Sequence, residues 1–172
     1  IQKVHAVVLS GGSAFGLEST CGVSKYLEEN NIGFDVGVAK VPIVVGAVLF
    51  DLGVGNPKSR PNIEMGYRAC QVASDTKLNQ GNFGAGCGAT VGKIKGIEYA
   101  MKGGIGSHSI KLPNGLVVSA LVAVNAFGDA YENGKVIAGV MDDEKKNVLN
   151  SYELMKNGVN KGGFSIDNTT IG

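Results

Sequence analysis

The sequence predicts a layered protein of mixed α/β or α+β class, built as one domain. Its 172 residues fit a single domain, and a composition of 44% hydrophobic and 18% charged residues is sufficient to bury a core. Helical patterns alternate with apolar strand patterns in the first half, whereas the second half consists mainly of strand patterns joined by tight turns. The 27 glycines, scattered without a period, indicate many turns and close backbone approaches.

The first half contains four predicted elements. A continuous apolar run at residues 4–9 predicts a buried strand. Residues 14–31 predict a helix, with Ser13 as its N-cap. Residues 41–49 fit either a strand or a buried helix, because periodicity does not separate the two. A proline is typical of a first helical turn, so residues 61–74 predict a second helix.

The second half is dominated by turn signals. Asn114-Gly115 between two apolar runs predicts a hairpin, because this dipeptide readily adopts the backbone of a tight hairpin turn. The apolar runs predict a strand within 94–102, strands at 105–112 and 116–127, two strands around a turn at 132–134 within 129–140, and a strand at 168–171. The remaining segments are a glycine-rich stretch at 81–92, a polar helical or flexible segment at 142–157 and a loose segment at 158–167.

Composition also excludes several classes of function. A formal net charge of +1 gives no electrostatic reason to expect nucleic acid or an anionic membrane as a partner. The longest apolar run, residues 41–52, is too short and too interrupted to span a bilayer. An odd number of cysteines without paired spacing predicts reduced, buried thiols in a cytoplasmic protein, at Cys21, Cys70 and Cys87.

The first candidate site is the loop of Ser10, Gly11, Gly12 and Ser13 between the first strand and the first helix. Backbone N–H groups at such a position can bind an anion or a carbonyl. The glycine spacing does not match a dinucleotide fingerprint, and Phe15 stands where a nucleophile elbow needs glycine. The loop therefore fits a tight turn, a wall that binds a substrate carbonyl or carboxylate, or a nucleotide site.

Two further polar residues stand in apolar surroundings. Lys93 ends a stretch that resembles a phosphate loop, but Cys87 and Ile94 replace the leading glycine and the metal-binding hydroxyl. Lys93 fits either a partly desolvated lysine that takes part in proton transfer or a solvated lysine at a strand end. Asn125 lies in an apolar strand, where an amide needs partners. It fits an oxyanion donor or a structural amide bonded to a neighbouring strand.

Metal and thiol chemistry have little support in the sequence. His5 and His108 are isolated, and with the cysteines they form no spacing typical of metal ligands, so we predict no metal and no cofactor. Cys87 has no base beside it in the sequence, which disfavours a catalytic thiol.

Several segments together resemble a known family. Residues 4–17 resemble the signature of the L-aminopeptidase/D-Ala-esterase/amidase family, which includes beta-peptidyl aminopeptidases and the nylon-oligomer hydrolase. Each segment alone is modestly specific, but the set follows the order of the family and extends over nearly the whole chain. The other matching segments are residues 41–44, 47–52, 84–93, 122–129 and 168–172.

This resemblance implies a fold and a processing event. The fold would be a four-layer αββα sandwich. A precursor would be cut between Asn168 and Thr169, so that residues 1–172 would be one domain made mostly of the large chain, with residues 169–172 as the start of the small chain. The small chain that follows, small peptide, amide or ester substrates, and further copies of the cut pair are the implied partners.

The resemblance also implies residue roles. Thr169 would be the nucleophile, Lys93 the lysine beside it, and Asn125 the amide that assists the oxyanion. The loop from Ser10 to Gly16 would form a wall of the substrate pocket. After cleavage Thr169 would carry its own base, because its α-amino group has an ordinary pKa of about 7.7–8.0 and a useful fraction is neutral near pH 7.

The implied activity is a self-processing aminopeptidase or amidase that hydrolyses amide or ester bonds of N-terminal residues through an acyl-enzyme. An acyl transferase resembling ornithine acetyltransferase is an alternative, because it shares the fold and a threonine nucleophile. A non-catalytic or nucleotide-binding module that uses the glycine loop is a second alternative. The Glu and Tyr that line the pocket in some beta-aminopeptidases have no match in residues 44–50, which leaves the substrate class open.

Overall fold

The computed structural model describes residues 3–76, 78–159 and 169–172. The helices are α1 (Glu18–Glu29), α2 (Ile63–Gln71) and α3 (Ser151–Lys156), and short 3-10 helices cover Ser13–Leu17, Gly84–Cys87 and Ile97–Tyr99. The strands are β1 (Ala6–Ser10), β2 (Phe34–Asp35), β3 (Lys40–Val41), β4 (Val44–Val48), β5 (Thr90–Val91), β6 (Met101–Lys102), β7 (Gly104–Lys111), β8 (Val117–Val124), β9 (Ala130–Glu132) and β10 (Lys135–Ala138). The mixed α/β class is confirmed, and the four-layer sandwich stays a prediction.

A parallel strand pair with a helical crossover forms the first half. β1 and β4 pair in parallel from Ala6–Val44 to Ser10–Val48, so of the two alternatives for residues 41–49 the strand is confirmed, over residues 44–48. The crossover helix α1 packs on α2, and one glycine on each helix, Gly22 and Gly66, permits this close approach. A Cβ at Gly22 would overlap the Ile63 carbonyl oxygen, because no space is left between the helices there.

The two predicted turns of the second half are confirmed. β7 and β8 form an antiparallel hairpin in which Gly104 pairs with Val124. The turn between them contains Gly115 at φ 88°, in the left-handed region that glycine adopts without strain. The turn between β9 and β10 uses Asn133 and Gly134, both at positive φ, as a tight hairpin turn requires.

The core lies where the end of the described chain meets the β7–β8 hairpin. Ile171 forms an antiparallel bridge with Ala123 of β8, and both residues are buried. They join one apolar cluster of buried residues, whose other members are Leu49, Ala85 and Ala89. Residues 169–172 are therefore anchored against β8 by backbone pairing and by burial of an isoleucine side chain.

Several sequence predictions need correction. Ser13 does not cap a helix with its side chain, because it lies at φ 54° inside a 3-10 turn that precedes α1. Asn62, not proline, begins α2, and its side chain accepts a hydrogen bond from Met65 N at 3.0 Å. Residues 94–102 contain a 3-10 turn and only the two-residue strand β6.

The polar segment at 142–157 is helical only in α3. The predicted loose segment at 158–167 and residue Asn168 lie almost entirely outside the described residues. The cysteine prediction was wrong for burial, because Cys21 and Cys87 are exposed and Cys70 is half-buried, although all three thiols are free. In the described part of the chain, no helix combines the length and hydropathy needed to cross a membrane.

Candidate active site

Asn125 follows the last residue of β8 and has a fully buried side chain. Its Oδ1 accepts hydrogen bonds from Thr90 N at 3.0 Å and from Lys93 Nζ at 2.9 Å. Its Nδ2 donates to the Phe50 carbonyl oxygen at 2.8 Å. Because donors contact Oδ1 and an acceptor contacts Nδ2, these hydrogen bonds determine the orientation of the Asn125 amide.

Lys93 is the second buried polar group, with a relative exposure of 2%. Its Nζ donates to Thr90 O at 2.9 Å, to Asn125 Oδ1 at 2.9 Å and to Ala126 O at 3.1 Å. Three acceptors around one nitrogen fit an ammonium group, which has three hydrogens to donate. The interpretation of Lys93 as a solvated lysine at a strand end is therefore wrong.

The backbone around Gly92 positions Lys93. Gly92 N donates to Gly128 O at 2.7 Å and Lys93 N donates to Phe127 O at 2.7 Å, so this segment runs beside the chain that follows Asn125. Gly92 lies at φ 75°, and a Cβ there would overlap the backbone nitrogen of Val140. Glycine is required at this position because the backbone is both left-handed and closely packed.

Thr169 lies beside Asn125. Its backbone N–H donates to Asn125 O at 3.2 Å, and the Ile171–Ala123 pairing two residues later holds the same register. The side chain of Thr169 is partly buried. The structure thus brings Thr169, Asn125 and Lys93 into one region, whereas Asn168 lies outside the described residues.

The glycine loop is already hydrogen-bonded within the chain. Gly12 N donates to Asp51 Oδ1 at 2.6 Å, and Ser13 N donates to Leu49 O at 2.9 Å. Ser10 is buried, and its hydroxyl donates to Gly11 O at 3.3 Å. Two N–H groups of the loop therefore already have acceptors, and Gly11 lines a cavity of about 320 Å³.

Asp51 is the residue of this region that the sequence reasoning missed. It lines the 320 Å³ cavity and also a smaller one of about 70 Å³ that reaches Thr90 and Lys93. The signal in the sequence is a lone acid near the end of a long apolar run. Among the described residues, no three His, Cys, Asp or Glu side chains form a group that could hold a metal ion.

The site has the parts that a hydrolase with a hydroxyl nucleophile needs, namely a hydroxyl, an oriented amide and a buried cation. The chain belongs to peptidase family S58, whose sequence profile matches residues 1–171. This match confirms the resemblance that the ordered sequence segments indicated.

The names of individual proteins similar to this chain agree with the family. A protein named as an uncharacterized aminopeptidase of Mycobacterium leprae is 41% identical over 149 residues, which are 83% of this chain and 39% of that protein. A Mycobacterium tuberculosis protein with the same kind of name is 41% identical over 132 residues, 77% of this chain and 36% of its own length. A 6-aminohexanoate-oligomer endohydrolase of Kocuria is 29% identical over 119 residues, 64% of this chain and 33% of its own length. The matched regions span less than two fifths of each of these relatives.

Proposed function

We propose that this chain belongs to a self-processing amide hydrolase. Thr169 first cleaves the peptide bond that precedes it and then acts as the N-terminal nucleophile. The observation that carries the proposal is the hydrogen bond of 3.2 Å from Thr169 N to Asn125 O. It holds the threonine beside Asn125, a buried asparagine that is itself bonded to a buried lysine.

The first reaction is a cut at the bond between Asn168 and Thr169. The carbonyl carbon of Asn168 is bonded to the nitrogen that Asn125 O holds, so the scissile bond starts next to the site. Thr169 Oγ attacks this carbon, an Oγ–C bond forms, the C–N bond breaks, and the hydroxyl proton passes to the leaving nitrogen. Breaking of the C–N bond frees the amine of Thr169, and water then hydrolyses the ester, which leaves a carboxylate on Asn168 and regenerates the Thr169 hydroxyl.

The second reaction is substrate hydrolysis. The neutral α-amino group of Thr169 takes the proton from its own Oγ, which costs little ordering because both groups belong to one residue. Oγ attacks the substrate carbonyl, and the amine or alcohol leaves with that proton. Water attacks the resulting acyl ester and regenerates the hydroxyl.

Asn125 supplies the oxyanion donor in this scheme. Its Nδ2 has two hydrogens, and the Phe50 carbonyl accepts one of them at 2.8 Å. We assign the other to the developing oxyanion. Lys93 holds the amide in this orientation through Oδ1 and adds positive charge in a buried setting, where electrostatic stabilisation is stronger than in water.

The decisive experiment is intact-mass measurement of the full-length protein. We expect two fragments, one with Thr169 as its first residue, and a single uncut chain for Thr169→Ala. Thr170→Ala is the matched control, because Thr170 is the adjacent exposed threonine and is expected to process like the wild type. A Thr169→Ala protein that still yields the same two fragments would falsify the proposal.

A substrate panel then distinguishes the alternatives. Release of amines from small amides and esters supports the hydrolase. Acetyl transfer to an amino acid with negligible amide hydrolysis points to the acyl transferase. Nucleotide affinity that is lost in Gly12→Asp, without turnover of any amide or ester, points to the nucleotide-binding module.

A further inference from the structure

The segment that directly precedes Asp129 supplies three carbonyl oxygens to the region of the buried lysine. The Ala126 oxygen accepts a hydrogen bond from Lys93 Nζ at 3.1 Å, and the Phe127 oxygen accepts one from Lys93 N at 2.7 Å. The oxygen of the third residue accepts a hydrogen bond from Gly92 N at 2.7 Å. A shift of this segment, residues 126–128, would therefore move acceptors of both the ammonium group and the backbone that carries it.

The carboxylate of Asp129 is held by three donors from two other parts of the chain. Its Oδ1 accepts hydrogen bonds from Val140 N at 3.2 Å and from the Ser151 hydroxyl at 2.5 Å. Its Oδ2 accepts a hydrogen bond from Ser151 N at 2.6 Å. Ser151 is the buried first residue of α3. Asp129 thus ties the end of the segment 126–128 both to the chain after β10 and to α3.

The chain after β10 also contacts the residue before Lys93. Val140 is fully buried, and a Cβ on Gly92 would overlap its backbone nitrogen. A Cβ on Gly139 would overlap Asp129 Oδ1. The backbone of residues 139–140 therefore packs against the carboxylate and also against the glycine that positions Lys93, so the carboxylate supports the lysine from a second direction.

We propose that Asp129 is a positioning residue of the active site, which holds the Lys93 ammonium against Asn125 by fixing the segment 126–128 and the backbone behind Gly92. The inference rests on the proposed function for its effect on cleavage. Asp129 lines neither of the two cavities that Asp51 lines, so it acts through Lys93 and not by contact with a substrate.

Chemical labelling of Lys93 tests this positioning without any turnover. Brief acetylation of the full-length protein with acetic anhydride, followed by peptide mass spectrometry, gives the labelling rate of Lys93 relative to exposed Lys25. In Asp129→Asn an amide N–H2 meets a Ser151 donor, because an amide has one acceptor atom and a carboxylate has two. We expect relative labelling of Lys93 to rise about tenfold. An unchanged ratio in a folded variant overturns the inference.

Asp142→Asn is the matched control for the loss of a hydrogen-bonded carboxylate. Asp142 also accepts a backbone N–H, from Lys146 at 2.8 Å, and a side-chain donor, from Asn147 at 2.7 Å. These partners lie in the loop after Val140 and do not include Lys93 or the segment 126–128. We expect wild-type labelling of Lys93 and wild-type processing in this control. Equal effects in the two aspartate variants would show that any local destabilisation exposes the lysine.

Processing kinetics distinguish positioning of Lys93 from a general contribution to the fold. We expect Asp129→Asn to slow fragment formation about 10–100-fold, the effect of a small displacement of a catalytic group. Added to Lys93→Met, the same change should slow it less than about twofold further, because the ammonium that Asp129 positions is already gone. Slowing that multiplies in the double variant would overturn the inference.

Turnover gives a second distinction. In the cleaved enzyme we expect Asp129→Asn to lower kcat for a small amide while KM stays unchanged, since the carboxylate lines neither cavity. A raised KM with unchanged kcat would show that Asp129 shapes substrate binding instead, and would overturn the inference.

Ser151→Ala provides a milder variant if Asp129→Asn does not fold. It removes the hydroxyl donor and retains both backbone donors, so we expect relative labelling of Lys93 to rise about two- to tenfold. Increased labelling of Lys93 in these variants, with a wild type that never cleaves, would defeat the proposed function but support the positioning role. A wild type that cleaves at Thr169, with variants in which Lys93 stays protected, would do the reverse.

Discussion

Lys93 Nζ lies 2.9 Å from Asn125 Oδ1, and neither side chain is exposed by more than 2%. The two residues are 32 positions apart in sequence and come together because the chain after Gly92 runs beside the chain after β8. A buried ammonium and a buried amide satisfy each other here, and this contact orients the amide nitrogen towards Phe50.

Lys93→Met should lower both stability and processing. The substitution retains apolar volume but removes the ammonium donor from three oxygens, two of them in buried hydrogen bonds, so we expect a loss of about 2–4 kcal/mol in the free energy of unfolding. Fragment formation should slow at least about tenfold, because the amide of Asn125 loses its orientation. Urea denaturation and a time course on denaturing gels measure the two effects.

Lys95→Met is the control for that variant. Lys95, whose side chain is 13% exposed, pairs with exposed Asp143 at 2.6 Å, so its loss removes the same charge without touching Asn125. It should process at the rate of the wild type. Equal slowing in both lysine variants would show that charge in general, not the Lys93–Asn125 contact, controls processing.

Asn125→Asp should abolish most catalysis. A carboxylate has no N–H to donate to an oxyanion, and it would place negative charge against the Phe50 carbonyl oxygen. We expect fragment formation and amide turnover to fall about 10²–10³-fold, as for loss of one oxyanion donor. Single-turnover rates check this.

Asn150→Asp is the corresponding control for the asparagine change. Asn150 caps α3 by accepting from Glu153 N at 3.1 Å, and aspartate caps helices equally well. It should retain the activity of the wild type. An Asn125→Asp protein that is folded and as active as Asn150→Asp would remove Asn125 from the mechanism.

Gly92→Ala should destabilise the fold far more than Gly134→Ala. Both glycines lie near φ 75°, at 75° and 76°, so the backbone strain added by alanine is similar. Only at Gly92 would the new Cβ meet backbone, that of Val140 and Gly139, whereas nothing lies within 4 Å at Gly134. We expect about 1 kcal/mol for Gly134→Ala and more than about 3 kcal/mol for Gly92→Ala, measured by urea denaturation. Similar losses would contradict the packing described around Lys93.

The pH dependence of stability should include a contribution from Asp142. The Lys146 backbone N–H at 2.8 Å and the Asn147 side-chain amide at 2.7 Å hold the pKa of this carboxyl below its usual value. Because the folded pKa is depressed, its stabilisation is present above the ordinary aspartate pKa of about 3.9 and is lost as pH falls through the folded pKa.

The Tm difference between wild type and Asp142→Asn should therefore shrink between about pH 6 and pH 2. Thermal melts across this range give the measurement. Asp75→Asn, at another exposed aspartate, is the comparison. A difference for Asp142→Asn that stays constant with pH would refute the assignment.

Sequence patterns predicted the structure correctly where the conformation of a segment depends mainly on its own residues. The hairpin turn that contains Gly115 and the turn at Asn133 and Gly134 were predicted because glycine and asparagine suit the positive φ that Gly115, Asn133 and Gly134 adopt. The N-cap of the first helix was predicted wrongly, because the contact of Ser13 N with Leu49 O, which belongs to a distant segment, gives that turn its conformation.

The sequence by itself determined the alternation of helices and strands, the tight turns and the family, since these depend on residue type and order along the chain. Only the tertiary structure decided that Lys93 is buried against Asn125, that Thr169 lies beside Asn125, and that Asp51 lines two cavities. Residues tens of positions apart become buried together and hydrogen-bonded according to how the strands pair and how closely glycine lets two backbones approach. A local sequence pattern does not contain this information.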